Sequence, residues 1–293
     1  MKIIDFNDAK IDNSAIALGK FEGLHRGHML LINEVVRLGL KHGIKNVCFS
    51  INVSGRKTVN TFEERYSILK NAGVDCVCNC LFSEAFAALT PEQFCDILAR
   101  KLNPKFIVVG EDFRFGCKRS GNVDVLKHFG EKYGYEVVVF EKLKENGEII
   151  STSLIKDYLQ EGKIDVVNDF LGRRYSLSGI VVEGKKLGHK IGFPTINIMP
   201  DDNKLLPCIG VYYTSVILNG VAYKAITNVG TNPTVTDGDK LIIETHIINY
   251  DGNLYGETVE VLFNCFIRKQ QKFDNLDLLI KQLESDKAFA MHQ

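Results

Sequence analysis

Ala15-Ile16-Ala17-Leu18-Gly19-Lys20-Phe21-Glu22-Gly23-Leu24-His25-Arg26-Gly27-His28 begins with four apolar residues, breaks at a glycine and runs on through a loop carrying two histidines. Beyond it Leu31, Val35 and Leu38 recur at helical spacing until Gly43, so the segment predicts a strand, a turn and a helix. The same alternation continues outward. Asn46 to Ser50 and Cys76 to Leu81 predict strands, Thr61 to Asn71 a helix, and Pro91 to Leu102 a helix with proline in its first turn. Phe106 to Gly110 is almost wholly apolar, as a parallel strand covered on both faces must be. A helix over Leu126 to Tyr133 and a strand over Glu136 to Phe140 complete a doubly wound α/β domain, in which ligands bind at the carboxyl ends of the strands.

His25 and His28 fall at such an end. Their three-residue spacing lets both imidazoles face one side of the first helical turn. Gly23 and Gly27 leave room for phosphate against the backbone, and the helix N-terminus supplies N–H groups and partial positive charge. Such a site can stabilise the charge that builds on an α-phosphate when another phosphate attacks it and pyrophosphate leaves.

A chain of 293 residues is long for one core, so two domains are expected. With 45% hydrophobic and 25% charged residues it is not a disordered chain. Lys+Arg and Asp+Glu both total 36, which leaves no basic excess to recommend nucleic acid as a partner. The start, Met1-Lys2-Ile3-Ile4-Asp5-Phe6, turns polar early, and no run of about 18 apolar residues occurs, so a cytoplasmic protein without a membrane partner is expected. Cys76, Cys78 and Cys80 alternate along one predicted strand and so share a face. They lack the paired Cys-x-x-Cys spacing of a structural zinc site and read as small buried residues beneath helices.

From Tyr175 the pattern changes to short alternating strands: Leu177 to Glu183, Val211 to Leu218, Val221 to Asn228, Leu241 to Ile248 and Thr258 to Phe266. Asn219-Gly220 and Asp251-Gly252 separate them at hairpin spacing. A small closed antiparallel β-barrel is expected, with a final amphipathic helix carrying Leu276, Leu279, Ile280 and Leu283 on one face. The boundary is expected near Leu171-Gly172-Arg173-Arg174, giving domains of residues 1–172 and 173–293. No Gly-x-x-x-x-Gly-Lys-Ser/Thr string occurs, which argues against a P-loop kinase. Instead a basic glycine-rich loop, Gly184-Lys185-Lys186-Leu187-Gly188-His189-Lys190-Ile191-Gly192, runs into Phe193-Pro194-Thr195-Ile196-Asn197. Its glycines admit main-chain N–H groups to phosphates and its cations offset their charge. Thr195 and Asn197, two apart on a strand, point the same way, and a hydroxyl and an amide oxygen together with ATP oxygens and water suit Mg²⁺.

Taken together and in this order, these signatures resemble those of the bifunctional bacterial FAD synthetases, with a nucleotidyltransferase-like His-x-Gly-His element followed by a riboflavin-kinase-like Pro-Thr-x-Asn element. The resemblance extends to Val109-Gly110-Glu111-Asp112-Phe113-Arg114-Phe115-Gly116, to Ile150-Ser151-Thr152-Ser153-Leu154-Ile155-Lys156, and in the second half to Gly210-Val211-Tyr212, Asn228-Val229-Gly230-Thr231-Asn232-Pro233-Thr234, Glu244-Thr245-His246 and Leu254-Tyr255-Gly256. It implies a first domain that adenylylates FMN to FAD with release of pyrophosphate, using His25 and His28 in the loop of Gly19, Phe21, Gly23 and Gly27. Asp112 and Phe113 would face flavin and nucleotide there, and Ser151, Thr152, Ser153 and Lys156 would hold ATP phosphates. It implies a second domain that phosphorylates riboflavin to FMN with MgATP. In that domain Glu244 would act as the base, Thr195 and Asn197 as metal ligands, Gly184, Lys185, Gly188 and Gly192 as the phosphate loop, and Arg268 with the final helix as the border of the flavin pocket.

Three positions depart from the family pattern: Glu22 stands for aspartate, Lys156 for arginine, and Ile51-Asn52-Val53 for Pro-His-Pro. Lysine is a point charge where arginine grips phosphate with two parallel N–H bonds, and Asn52 carries no charge at neutral pH. Adenylyl transfer is therefore expected to be slower than phosphorylation. The alternatives are a riboflavin kinase with a weakened or inactive first domain, a nucleotidyltransferase for another phosphate, and a non-catalytic flavin-binding regulator.

Overall fold

A computed structural model describes residues 1–184, 188, 191–231 and 241–293. The chain packs as two compact units, Met1–Thr152 and Ser153–Gln293.

The first unit is built on an all-parallel six-stranded sheet in the order β1-β4-β3-β2-β5-β6, formed by Lys2–Asp5, Cys76–Leu81, Lys45–Asn52, Ser14–Gly19, Pro104–Gly110 and Glu136–Phe140. It also holds a short helix α3 (Glu84–Ala87) and a two-stranded sheet of β7 (Lys144–Glu145) and β8 (Glu148–Ile149). Period-two alternation sends side chains to two separate cores. Ile16, Leu18, Val47, Phe49, Ile107 and Val109 pack under α4 (Pro91–Leu102) and α5 (Val123–Tyr133). Ala15, Ala17, Cys48, Val77 and Val108 pack under α1 (Arg26–His42) and α2 (Phe62–Asn71). The doubly wound reading is thus observed. Cys76, Cys78 and Cys80 are buried in the first of these cores, where desolvation pushes the Cys80 thiol up to about 12, so they are apolar filling. Among the described residues no group of three or more His, Cys, Asp or Glu is placed to hold a metal.

Helix ends follow local rules. Thr61 and Thr90 close capping boxes with Glu64 and Gln93, and α1 ends on Gly43 in the left-handed region at φ 63°. The strand order reverses beside β2: α1 and α2 lead to β3 and β4 on one side, whereas β5 pairs on the other. The loops after β2 and β5 therefore border the crevice where doubly wound sheets take ligands.

The second unit opens with helical turns over Thr152–Glu161 (α6, which begins at the end of the first unit) and Ile164–Leu171 (α7). The Asn168 side chain of α7 donates to the carbonyls of Phe263 and Asn264 and accepts from the Tyr175 N–H, tying α7 to the barrel. By packing, then, the second unit starts before the boundary expected after Gly172. The barrel is closed and antiparallel in the order β10-β13-β12-β11-β14-β9, from Ile196–Pro200, Leu241–Ile247, Val221–Thr231, Gly210–Leu218, Thr258–Arg268 and Tyr175–Val182. Asn219 and Gly220, at φ 49° and 79°, make the expected hairpin turn between β11 and β12. Asp251-Gly252 does not make the other: β13 pairs with β10 and β12 and β14 with β9 and β11, so the link between them joins strands that are not neighbours. The last helix, Leu276–His292, packs on β12 and β11.

Inside the barrel the buried hydroxyls of Thr214, Thr227 and Thr245 form a chain across three strands, with O···O distances of 2.8 and 2.9 Å. Thr227→Val breaks both links and leaves two buried hydroxyls short of a partner. The expected loss is about 1–3 kcal/mol, read as an earlier urea midpoint for the barrel's unfolding transition.

Candidate active sites

The first site lies at the end of β2. His25 is the N-cap of α1: its Nδ1 accepts the backbone N–H of His28 at 3.3 Å. An accepting Nδ1 directs the ring's N–H to Nε2. The His28 ring stacks on it with centroids 3.7 Å apart and meets the Phe21 ring edge-on at 5.2 Å. Both imidazoles do share one side of the first turn. The left-handed positions in this loop are not glycines but Phe21 at φ 45° and Leu24 at φ 42°, both buried, a strain that the packing around a functional loop holds in place. Gly27 serves a spatial need, because a Cβ there would lie 3.2 Å from His25 Nδ1. At Gly23 it would lie 3.3 Å from Thr152 Oγ1, and at Gly19 3.1 Å from the Phe21 ring.

Two further residues build this loop without having been legible as site residues. The buried Asn60 donates through Nδ2 to the carbonyls of Glu22, at 3.1 Å, and Gly23, at 2.8 Å. The buried Arg65 donates through Nη1 to Asn52 Oδ1 at 2.8 Å, beside the Glu22 carboxylate, which offsets part of the desolvation that lowers its pKa. Asn52 donates in turn to the Ser50 carbonyl and to Asn79 Oδ1. Its two amide hydrogens are thus used within the fold, and a fixed cation stands next to it.

In the loop after β5, Asp112 pairs with Lys142 at 2.9 Å and Phe113 stacks on Phe115. Ser151 and Thr152 are half-buried at the end of the first unit, whereas Ser153 and Lys156 belong to the second, on the exposed and half-buried sides of α6.

The second site lies on the barrel wall. The β10–β13 ladder sets Asn197 directly opposite Glu244, whereas Thr195, expected on the same strand, lies one residue before β10, where Pro194 offers no N–H to extend the ladder. Alternation turns Thr245 into the barrel and leaves Glu244 and His246 on the other face. Thr195, Asn197, Glu244, Arg268, Leu279 and Leu283 line a cavity of about 420 Å³. Thr195 also borders a second cavity of about 310 Å³, with Thr245, Tyr250 and Leu254. Asn197 is seated by Gly184: a Cβ at Gly184 would fall 1.9 Å from Asn197 Nδ2. Gly188 packs on the Phe193 carbonyl, and Gly192 turns at φ 80°. Arg268 lines the larger cavity, but its guanidinium grips Asp286 of the last helix through Nη2 at 2.8 Å and Nε at 3.1 Å, with Asp286 buried and also accepting from Gln282. It acts as a clasp between the helix and β14. Lys185 and Asn232-Pro233-Thr234 lie outside the described residues.

A parallel sheet with a histidine pair at its switch point, and a barrel with a carboxylate opposite an amide on a cavity that shares Thr195 with a second, fit a two-domain nucleotide-using transferase. The FAD synthetase family profile matches residues 7–154, and the riboflavin kinase profile matches residues 171–293. The bifunctional riboflavin kinase/FMN adenylyltransferase of Buchnera aphidicola subsp. Schizaphis graminum is 34% identical over 94% of this chain and 92% of its own. That of Escherichia coli K12 is 32% identical over 99% of this chain and 97% of its own. A crystal structure described as a macrolide-efflux protein from Streptococcus pneumoniae is similar over 100% of both chains, with a TM-score of 0.92 and 28% identity. Among the described residues no helix is long and apolar enough to cross a membrane. The chain belongs to the bifunctional riboflavin kinase/FMN adenylyltransferase family.

Proposed function

We propose that residues 173–293 phosphorylate riboflavin to FMN with MgATP and that residues 1–172 transfer AMP from ATP to FMN, giving FAD and pyrophosphate. The observation that carries the kinase reading is the position of Thr195 between two cavities, with Glu244 opening on the larger. Riboflavin in the larger and ATP in the smaller would meet there. Glu244 then takes the proton of the ribityl 5′-hydroxyl as that oxygen attacks the γ-phosphorus and ADP leaves. Thr195 and Asn197 present hard oxygen donors on one cavity wall, and the Gly184 cradle seats Asn197, a set that fits Mg²⁺ completed by phosphate oxygens and water. A Mg²⁺ ion held by these residues would neutralise part of the phosphate charge. Gly184, Gly188 and Gly192 would flank the phosphates, and the charge of Lys185 would offset theirs.

For adenylyl transfer the support is the stacked His25–His28 pair at the α1 N-terminus. Their ring N–H groups and the helix amides stabilise charge on the α-phosphate as the FMN phosphate attacks and pyrophosphate departs. Gly19, Phe21, Gly23 and Gly27 shape that loop, Asp112 and Phe113 would contact flavin and nucleotide, and Ser151, Thr152, Ser153 and Lys156 would hold phosphates. Both reactions use soluble metabolites, which supports a cytoplasmic setting.

Purified full-length protein incubated with riboflavin and MgATP, with flavins separated by chromatography, tests the reading. FMN is expected first and FAD later. The single ammonium of Lys156 replaces one bidentate contact, which costs about 1.5–3 kcal/mol, or roughly one to two powers of ten in rate. FAD forming as fast as FMN would show that exchange to be harmless. FMN without FAD would leave a kinase with an inactive first domain, and no product would leave a flavin-binding regulator.

A further inference from the structure

The β10–β13 ladder holds Asn197 opposite Glu244, but it stops at Ile196↔Thr245, and the β10–β9 ladder stops at Asn197↔Val182. Thr195 therefore sits on backbone that neither ladder reaches, next to Pro194, which has no N–H to give. A side chain meets the Pro194 carbonyl instead. His246 Nδ1 lies 2.8 Å from that oxygen. Since a carbonyl oxygen accepts and does not donate, Nδ1 carries the hydrogen and Nε2 the lone pair. His246 follows Glu244 by two residues on β13 and shares its face. Its Nε2 is buried and has no hydrogen-bond partner among the described residues. Desolvation pushes the ring's pKa below the usual histidine value, which keeps this tautomer neutral. The Phe193 ring packs on the imidazole with centroids 5.3 Å apart.

We propose that His246 is a positioning residue for the segment that leads into β10: its Nδ1–H holds the Pro194 carbonyl, and through it Thr195, in a set place relative to Glu244. The ring acts as one more rung of a ladder that has run out of backbone donors. The inference rests on reading the barrel as a riboflavin kinase, and it assigns the effect of the ring to one nitrogen.

Asparagine places Nδ2 where histidine has Nδ1, whereas glutamine reaches toward the place of Nε2, so the two substitutions separate the nitrogens. Full-length wild type, His246→Asn, His246→Gln and His246→Phe are compared in two measurements. One is amide hydrogen exchange of the peptide spanning 193–198 without substrates. The other is the Mg²⁺ concentration giving half-maximal riboflavin phosphorylation. The Gln and Phe variants are expected to raise both by about tenfold with riboflavin KM changed less than about twofold, and the Asn variant to stay within about threefold of wild type. Equal behaviour of Asn and Gln overturns the proposal, as does a higher riboflavin KM with unchanged metal dependence. Should the Phe variant melt early, the Asn and Gln pair decides alone. A wild type that forms no FMN sinks the kinase reading, while the exchange data still test the tether.

Discussion

Glu244→Gln is expected to slow riboflavin phosphorylation by about two to four powers of ten, because the amide keeps the shape of the side chain and cannot take the 5′-hydroxyl proton. The carboxylate is held opposite Asn197 by a ladder that the substitution leaves untouched, so riboflavin binding, read by flavin fluorescence, should persist. Conversion of supplied FMN to FAD in the same preparation should be unchanged. A variant with full kinase turnover would remove Glu244 from the reaction, and one that no longer binds riboflavin would make it a binding residue.

His28→Ala is expected to lower FMN to FAD conversion by about two to three powers of ten, the usual cost of removing one donor aimed at developing charge. His28 is a cleaner choice than His25, since His25 also caps α1 and its loss would cost about 1 kcal/mol of stability besides. Riboflavin phosphorylation by the same molecules serves as the internal control. Unchanged FAD formation would show that the stacked imidazoles support the loop and do not take part in transfer.

How much could be read beforehand depended on the range of the interaction. The strand-turn-helix at β2 and α1 was legible because apolar runs, glycines and caps act over a few residues. The β4, α4 and β6 bounds were predicted as observed for the same reason. β1 was missed, since four mostly exposed edge residues carry no alternation. The Asp251-Gly252 hairpin was misread because local turn chemistry does not say which strands pair across a closed barrel. Asn60 and Arg65 carry no motif of their own. Their roles arise from hydrogen bonds that span 13 to 38 positions along the chain. The buried Arg65 guanidinium beside Asn52 supplies a fixed cation at a position where the amide itself has none.

Residue type and spacing alone were enough to place a histidine pair at a helix start and a parallel sheet before a barrel, because each is a matter of periodicity and side-chain chemistry. Which partner each group meets was decided by tertiary structure: Asn197 opposite Glu244, His246 on the Pro194 carbonyl, Arg268 on Asp286, Arg65 on Asn52. Strand register and barrel closure bring these groups together across the fold, and a hydrogen bond or an ion pair acts only over the few ångströms that such closure provides.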